Sequence, residues 1–308
     1  MSESNTNQVM HLVVPSSVRD EVSAFLIDRQ ARGLSSNTVL FYRKELGWFC
    51  DFLGAVDVLE VSPDDLRRYL IRVGEYRNPG GCACAFRAVR AFFNWYADEV
   101  EPEDWRNPIS RVKSPKVRQD SLDPVSVDTV KALLSGCDRK RFNGQRDRCV
   151  LLGLLDTGCR ASEFVALNLG DLNLGTGALA VREGKGGRSR SVFLGSKCRR
   201  EMTRYLRCRR DAKPGDALWV TGEGKRLSYA GLRMIVRRLS GRAGVDCPSL
   251  HSFRRAFALA CLRGGMDLIS LQRLMGHADL TVLRRYLNQT VDDLAAAHQR
   301  CGPVDCLL

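Results

Sequence analysis

The stretch LMGHADLTVLRRYLN (274–288) holds an imidazole and a phenol, groups that can transfer a proton or attack an electrophile. On one unbroken helix His277 and Tyr286 would point in opposite directions, because nine residues at ~100° each make about two and a half turns. Gly276 and Asp279 instead predict the end of one helix and the start of another. With that break, both side chains can converge on one point.

This stretch also has simpler interpretations. A tyrosine inside an amphipathic helix usually packs against a core, and a histidine after a glycine is often incidental. The two short helices also suit a helix–turn–helix reader of DNA, with Arg284 and Arg285 as phosphate contacts.

Three further segments carry polar residues at suggestive spacings. In DTGCRASEF, Arg160 and Glu163 share a face at a helix start, where a surface ion pair is the simplest interpretation. In REGKGGRSR, Lys185 lies at the tip of a glycine-rich hairpin, although glycines there also satisfy turn geometry. In HSFRRAFALACL, His251 and Arg254 share a face and are placed for phosphate contact, or the histidine simply caps the helix.

Taken in chain order, these segments resemble the active-site set of the tyrosine recombinases, the phage integrase family. The matching motifs are TGCRASE, GKGGRSR, HSFRRAFA, and LMGH followed nine residues later by a tyrosine. The first part of the chain resembles the family's helical core-binding domain, including LSSNTVLFYRKEL and the pair Asn107-Pro108. The implied active-site set is Arg160, Lys185, His251, Arg254, His277 and Tyr286.

The resemblance covers most of the chain and is to the simpler two-domain, Xer-type members. Two positions depart from the usual pattern. Arg255 stands where the family often has a second histidine, which affects local phosphate affinity more than activity. Met275 extends the frequent LGH pattern and is a conservative packing change.

The resemblance implies cleavage of a phosphodiester by Tyr286, giving a 3′-phosphotyrosyl intermediate and a free 5′-hydroxyl. Arg160 and Arg254 would clamp the non-bridging oxygens as negative charge develops on them. Both arginines also favour the phenolate, which a phenol with a pKa of ~10 needs at neutral pH.

The remaining members of the set have implied proton-transfer and binding roles. Lys185 would protonate the departing 5′-oxygen, and His251 would accept the tyrosine proton or hold the geometry. His277 would hydrogen-bond the phosphate. Glu163 is expected to orient the site.

The implied reaction needs no cofactor, because the covalent link retains the bond energy of the phosphodiester. The sequence agrees, since it contains neither a phosphate-binding P-loop nor a carboxylate cluster typical of two-metal nucleases. The resemblance implies double-stranded DNA with specific recombination sites as partner, a homotetramer synapsing two sites, and strand exchange through a Holliday junction. A second recombinase or a DNA-bending accessory protein are further possible partners. The alternatives are DNA relaxation like that of a type IB topoisomerase, or a catalytically silent DNA-binding regulator.

Composition agrees with a DNA partner. The chain of 308 residues has a formal net charge of +13, much of it in arginine clusters that suit phosphate. No apolar run approaches the ~20 residues that span a bilayer, and the N-terminus lacks the pattern of a secretory signal. We expect a cytoplasmic, nucleoid-associated protein. The 12 cysteines are scattered, which predicts reduced thiols.

The elements that must position these residues are mostly helical. Helical periodicity predicts a mainly α fold with a small β-sheet, formed by the hairpin GALAVRE–GKGG–RSRSVFL. We predict a flexible tail (1–16), a helical core-binding, SAM-like domain (17–103), a proline-bearing linker (104–123), a catalytic domain of the DNA breaking-rejoining fold (124–290), and a C-terminal helix or tail that contacts another protomer (291–308). Further DNA contacts are predicted at Arg43, Lys44, Arg87, Arg90, Arg188, Arg190 and Arg255.

Overall fold

The computed structural model describes residues 16–117, 123–182 and 189–276, together with residues 291, 295, 298, 299 and 304. The chain divides into two compact units, residues 1–120 and residues 121–308. The described residues are mainly helical and contain one two-stranded sheet, as predicted. Within these residues no helix combines the length and the apolar character that a membrane span requires.

The described residues of the first unit form four α-helices around an aromatic core. Local capping signals fix where the helices begin: Ser62 and Asp65 form a reciprocal capping box, and Pro63 occupies the first turn. Rings of Phe25, Phe49 and Phe92 are fully buried, with edge-on contacts between them and their aromatic neighbours. The helices are α1 (Val18–Ala31), α2 (Ser36–Leu53), α3 (Pro63–Gly74) and α4 (Pro79–Val100).

The core of the first unit includes the first part of the segment predicted as a linker (104–123). Ile109 and Val112 are buried in the core of the first unit, and the Trp105 ring stacks near Phe93 with centroids 6.4 Å apart. Asn107 caps a short 3₁₀ turn (Pro108–Arg111) by accepting a hydrogen bond from the Ile109 amide. The side chains of Trp105, Ile109 and Val112 anchor this proline-bearing segment to the core. The packed part of the first unit therefore extends to residue 112.

The second unit surrounds the long helix α6 with shorter helices and the sheet. Strands β1 and β2 are antiparallel and pair Ala178 with Phe193 and Val181 with Arg190. Phe164 stacks on Trp219 at 4.7 Å in the main core, and Ala258, Leu271 and Met275 form a separate small cluster. The elements are α5 (Val127–Ser135), α6 (Phe142–Thr157), α7 (Ala161–Ala166), β1 (Ala178–Val181), β2 (Arg190–Phe193), α8 (Ser196–Arg207), α9 (Tyr229–Ala243), α10 (Leu250–Arg263) and α11 (Leu268–Met275).

The described cysteines are free thiols, and six of them are buried. Burial raises the pKa of Cys198 to about 12 and that of Cys137 to about 11. These thiols therefore stay protonated near neutral pH and fill space in the core, in agreement with the prediction of reduced cysteines.

Candidate active site

Helix α7 begins directly after Arg160, which follows a tight break in the chain. Helix α6 ends at Gly158, whose left-handed φ of 59° is typical of a glycine that terminates a helix. A side chain at this position would also collide with Phe257, since an added Cβ would lie 2.2 Å from its ring. Two residues later the Arg160 amide donates to Glu163 Oε2 at 2.9 Å, so the first turn of α7 fixes both residues of the predicted pair.

Glu163 is the carboxylate at the centre of the site. Its spacing from Arg160, taken alone, indicates a surface ion pair, but its side chain is only 5% exposed and it contacts two arginines. Arg160 Nη1 donates to Oε1 at 2.8 Å, and Arg190 Nη2 donates to Oε2 at 2.6 Å. Burial alone would raise the pKa of Glu163, but the hydrogen bonds from Arg190 and Arg160 outweigh it and lower the pKa to about 2.

The first turn of α10 presents His251 and Arg254 on one face. Ser249 caps this helix by accepting from the Ser252 amide at 3.1 Å. Arg254 is 1% exposed and donates to the main-chain carbonyls of Gly158 and Met275. His251 lies at the surface. Desolvation of the ring and the charges of Arg255 and Arg254 lower the pKa of His251 below its ordinary value, which favours the neutral, proton-accepting imidazole.

The C-terminal end of α11 gathers three arginines from three different segments. Arg190 Nε donates to the Leu274 carbonyl at 2.8 Å, Arg254 Nη2 to the Met275 carbonyl at 2.6 Å, and Arg160 Nη2 to the Gly276 carbonyl at 3.4 Å. The last carbonyls of a helix have no partner within it and carry the negative end of the helix dipole. They therefore attract guanidinium groups. We call Arg160, Arg190 and Arg254 the arginine cluster.

Gly276 ends α11 in the left-handed conformation, as predicted, with a φ of 62°. Asp267 caps the start of the same helix by accepting from the Ser270 amide at 2.8 Å. In sequence His277 follows Gly276 directly, so the arginine cluster surrounds the main chain that leads to it. His277, Tyr286 and Lys185 lie outside the described residues, as does Arg188.

The other predicted DNA contacts differ in exposure. Arg43, Lys44, Arg87 and Arg90 are exposed on the first unit, and Arg255 is half-buried beside Arg254. These five stay predictions. Arg190 differs, because its side chain is 9% exposed and its donors already meet protein acceptors.

Sequence reasoning missed the part that Arg190 plays in this site. The motif GKGGRSR placed it near Lys185, but nothing in the motif indicated Glu163 as its partner, 27 residues away. The alternation of β2 offered the only available signal. Arg190 shares a face with Val192, which is 1% exposed, whereas Ser191 and Phe193 point to solvent.

The arrangement suits an anionic ligand held by fixed guanidinium groups. Two arginines of different segments come to one helix end, beside an imidazole whose neutral form is favoured. Such preorganised donors stabilise charge that develops on phosphoryl oxygens. Among the described residues, no group of three or more His, Cys, Asp or Glu side chains is arranged to hold a metal ion.

Comparison with known proteins gives a family match for the second unit. The model of the phage integrase family matches residues 125–292, which is more than half of the chain. Tyrosine recombinase XerC of Pelobacter propionicus is 30% identical over 291 residues, which cover 92% of this chain and 95% of that protein. Tyrosine recombinase XerD of Listeria innocua is 30% identical over 297 residues, which cover 92% of this chain and 98% of that protein.

A solved structure with the same fold is that of a lambda integrase tetramer bound to a Holliday junction. Its TM-score with this chain is 0.74 at 13% sequence identity, and the match covers 89% of this chain and 78% of the integrase chain. At this identity the likeness speaks for the fold alone. With the family match and the full-length relatives, it confirms the fold class expected from the motifs. The chain belongs to the phage integrase family and is a tyrosine recombinase related to the Xer proteins.

Proposed function

We propose that this tyrosine recombinase breaks and rejoins duplex DNA at specific sites through a 3′-phosphotyrosyl link to Tyr286. The observation that carries the proposal is the convergence of Arg160 and Arg254 on the last carbonyls of α11, directly before His277 in sequence. Strand exchange then passes through a Holliday junction. The family membership of the chain supports the reaction class, and the residue roles below are proposals.

The two arginines act on the scissile phosphate. Arg160 and Arg254 donate to its non-bridging oxygens and stabilise the charge that develops as phosphorus becomes five-coordinate. Glu163 fixes Arg160 through the 2.8 Å ion pair, so the guanidinium is oriented before the substrate arrives.

Proton transfer involves the remaining members of the set. The lowered pKa of His251 leaves its ring neutral near pH 7, so it can accept the proton of Tyr286 as the phenolic oxygen attacks phosphorus. Lys185 protonates the 5′-oxygen as the P–O bond to it breaks. His277 donates a hydrogen bond to the phosphate.

The partner is duplex DNA with specific recombination sites, bound by four copies of this chain on two sites. The first unit contributes the exposed cations Arg43, Lys44, Arg87 and Arg90 to the DNA backbone. A second recombinase or a DNA-bending accessory protein joins the complex where the site requires one. The protein acts on DNA of the nucleoid in the cytoplasm.

The test is covalent trapping on a nicked duplex in the presence of a chelator. The duplex carries a site recovered by crosslinking the protein to DNA in cells. A nick close to the scissile phosphate lets the short 5′-hydroxyl fragment leave, so the protein–DNA adduct accumulates. We expect the adduct with the wild-type chain and none with Tyr286→Phe. The matched control is Tyr229→Phe, a loss of one hydroxyl from a side chain 53% exposed in the same unit.

Two outcomes would contradict the proposal. DNA binding without any adduct would identify a catalytically silent DNA-binding regulator. Adduct formation followed only by relaxed circles, with no recombinants from two marked sites, would identify an activity like that of a type IB topoisomerase.

A further inference from the structure

Arg190 is the one member of the arginine cluster that the proposed chemistry does not use. It begins β2, five residues after Lys185 in sequence. Its side chain is 9% exposed and makes three hydrogen bonds: Nε to the Leu274 carbonyl at 2.8 Å, Nη1 to Glu163 Oε1 at 3.2 Å, and Nη2 to Glu163 Oε2 at 2.6 Å. Only a planar, forked cation can meet a carboxylate with two donors and a carbonyl with a third.

Glu163 connects Arg190 to Arg160, because its carboxylate accepts hydrogen bonds from both arginines. Its Oε1 accepts from Arg160 Nη1 at 2.8 Å and from Arg190 Nη1 at 3.2 Å. Its Oε2 accepts from the Arg160 amide at 2.9 Å and from Arg190 Nη2 at 2.6 Å. Each carboxylate oxygen therefore links the two arginines, and removing Arg190 takes one donor from each oxygen and leaves the carboxylate held only by the first turn of α7.

Arg190 also lies against the main chain that leads to His277. A Cβ added at Gly276 would lie 3.0 Å from both Cδ and Nη1 of Arg190. This glycine is in the left-handed conformation, with a φ of 62°. The Arg190 side chain therefore contacts the end of α11 through a hydrogen bond at Leu274 and through packing at Gly276.

We propose that Arg190 is a positioning residue that holds Arg160 and the end of α11 in one fixed arrangement for DNA cleavage. The inference rests on the proposed function and adds to it a residue that touches no substrate. It also replaces the expectation that Arg190 contacts DNA, because both of its terminal nitrogens donate to the charged carboxylate of Glu163, whereas those of Arg254 donate to neutral main-chain carbonyls.

Arg190→Lys keeps the charge but removes the fork, so one ammonium cannot serve Glu163 and Leu274 together. We expect the single-turnover rate of adduct formation to fall by about 10- to 100-fold, the scale of an ångström-sized displacement of a catalytic group. The Kd for duplex DNA should change by less than about threefold, because no phosphate contact is lost.

Arg146→Lys is the matched control. Arg146 is also buried in the second unit, at 6% side-chain exposure. It gives Nε and Nη2 to Asp147 Oδ1 at 2.9 and 2.7 Å, and Nη1 to the Val220 carbonyl at 3.0 Å. Arg146→Lys should lower the free energy of unfolding as much as Arg190→Lys does. It should leave the cleavage rate of the folded protein within about threefold of the wild-type rate. Rates are compared well below both melting temperatures, and Arg190→Gln serves as a second variant should the lysine variant not fold.

A double-mutant cycle tests whether Arg190 acts through Glu163. The rate losses of Arg190→Lys and Glu163→Gln should be strongly less than additive when combined, whereas those of Arg146→Lys and Glu163→Gln should add. The pH profile gives a second readout. Glu163 faces Arg160, Arg190 and Cys159, so Arg190→Gln, which unlike Arg190→Lys carries no charge, removes a cationic partner. The acid limb of cleavage should then move to higher pH.

Three outcomes would overturn the inference. Arg190→Lys could cleave as fast as Arg146→Lys, or its loss could add fully to that of Glu163→Gln. Alternatively, Arg190→Lys could weaken DNA binding and lower the salt slope by about one, which is the signature of a lost phosphate contact. If the wild-type chain forms no adduct, the proposed function fails and the inference fails with it.

Discussion

Glutamine in place of Glu163 removes one buried charge and keeps the shape of the side chain. The carboxylate is 5% exposed and accepts from Arg160 and Arg190. Burial raises its pKa, but the two arginines outweigh that effect and lower the pKa from 4.5 to about 2. A tenfold change in proton affinity corresponds to about 1.4 kcal/mol. The charged form therefore contributes about 3 kcal/mol to the free energy of unfolding at pH 7.

The sign of the pH dependence follows from the lowered pKa. Folding favours the deprotonated carboxylate, so its contribution is complete above about pH 5.5 and is lost as the pH falls from 4.5 toward 2. Glutamine does not titrate. We therefore expect Glu163→Gln to cost about 3 kcal/mol at pH 7, and the difference from wild type to narrow steadily below pH 5.

Scanning calorimetry of the full chain between pH 7 and pH 3 measures this difference. For a unit of this size, about 3 kcal/mol lowers the melting temperature by roughly 6–12 °C at pH 7. The control is Glu223→Gln, because Glu223 is 78% exposed in its pair with Lys225 and should contribute little. A drop below about 2 °C at pH 7, or a drop that is the same at pH 3, would refute the electrostatic reasoning.

Two further predictions concern Gly158, which ends α6, and His251, which lies in the first turn of α10. Gly158→Ala should lower the free energy of unfolding by about 3 kcal/mol in urea denaturation, because the φ of 59° and the 2.2 Å approach to Phe257 both oppose a side chain. Gly244→Ala has a similar φ of 64° but open space around it, and should cost only about 1 kcal/mol; equal losses would contradict the packing argument. For His251, desolvation and the charge of Arg255 lower the pKa, so its NMR titration should lie below that of a free histidine and move up in Arg255→Gln. An unchanged midpoint in that variant would show that Arg255 does not act on the ring.

Much of the fold could be predicted because its signals are local. Ser62 and Pro63 mark a helix start, and Gly158 and Gly276 mark helix ends; the structure confirms all of these. The buried stripe of α4 consists of apolar residues that recur at helical spacing in the sequence: Phe86, Val89, Phe93 and Tyr96. Such features depend on a few adjacent residues, so the sequence alone suffices to find them.

The environment of the site depends on contacts between distant segments and was harder to predict. Glu163 is buried because the next residue, Phe164, stacks on Trp219 and draws the start of α7 inward. The spacing of Arg160 and Glu163 could not reveal that burial, nor the approach of Arg190 from the sheet. The motifs drew attention to Arg160, Glu163 and Arg254, and the partners of these residues came only from the fold.

The three carbonyls at the end of α11 have a consequence for how this protein tolerates mutation. Every residue supplies the same carbonyl oxygen, so the bonds from Arg160, Arg190 and Arg254 are indifferent to which side chain occupies position 274 or 275. Variation there is limited by helix formation and by the small apolar cluster, not by the arginines. The three arginines can therefore keep these hydrogen bonds while the amino acids at positions 274 and 275 vary. Because the acceptors are main-chain atoms, substitutions at these positions need no matching substitution of an arginine.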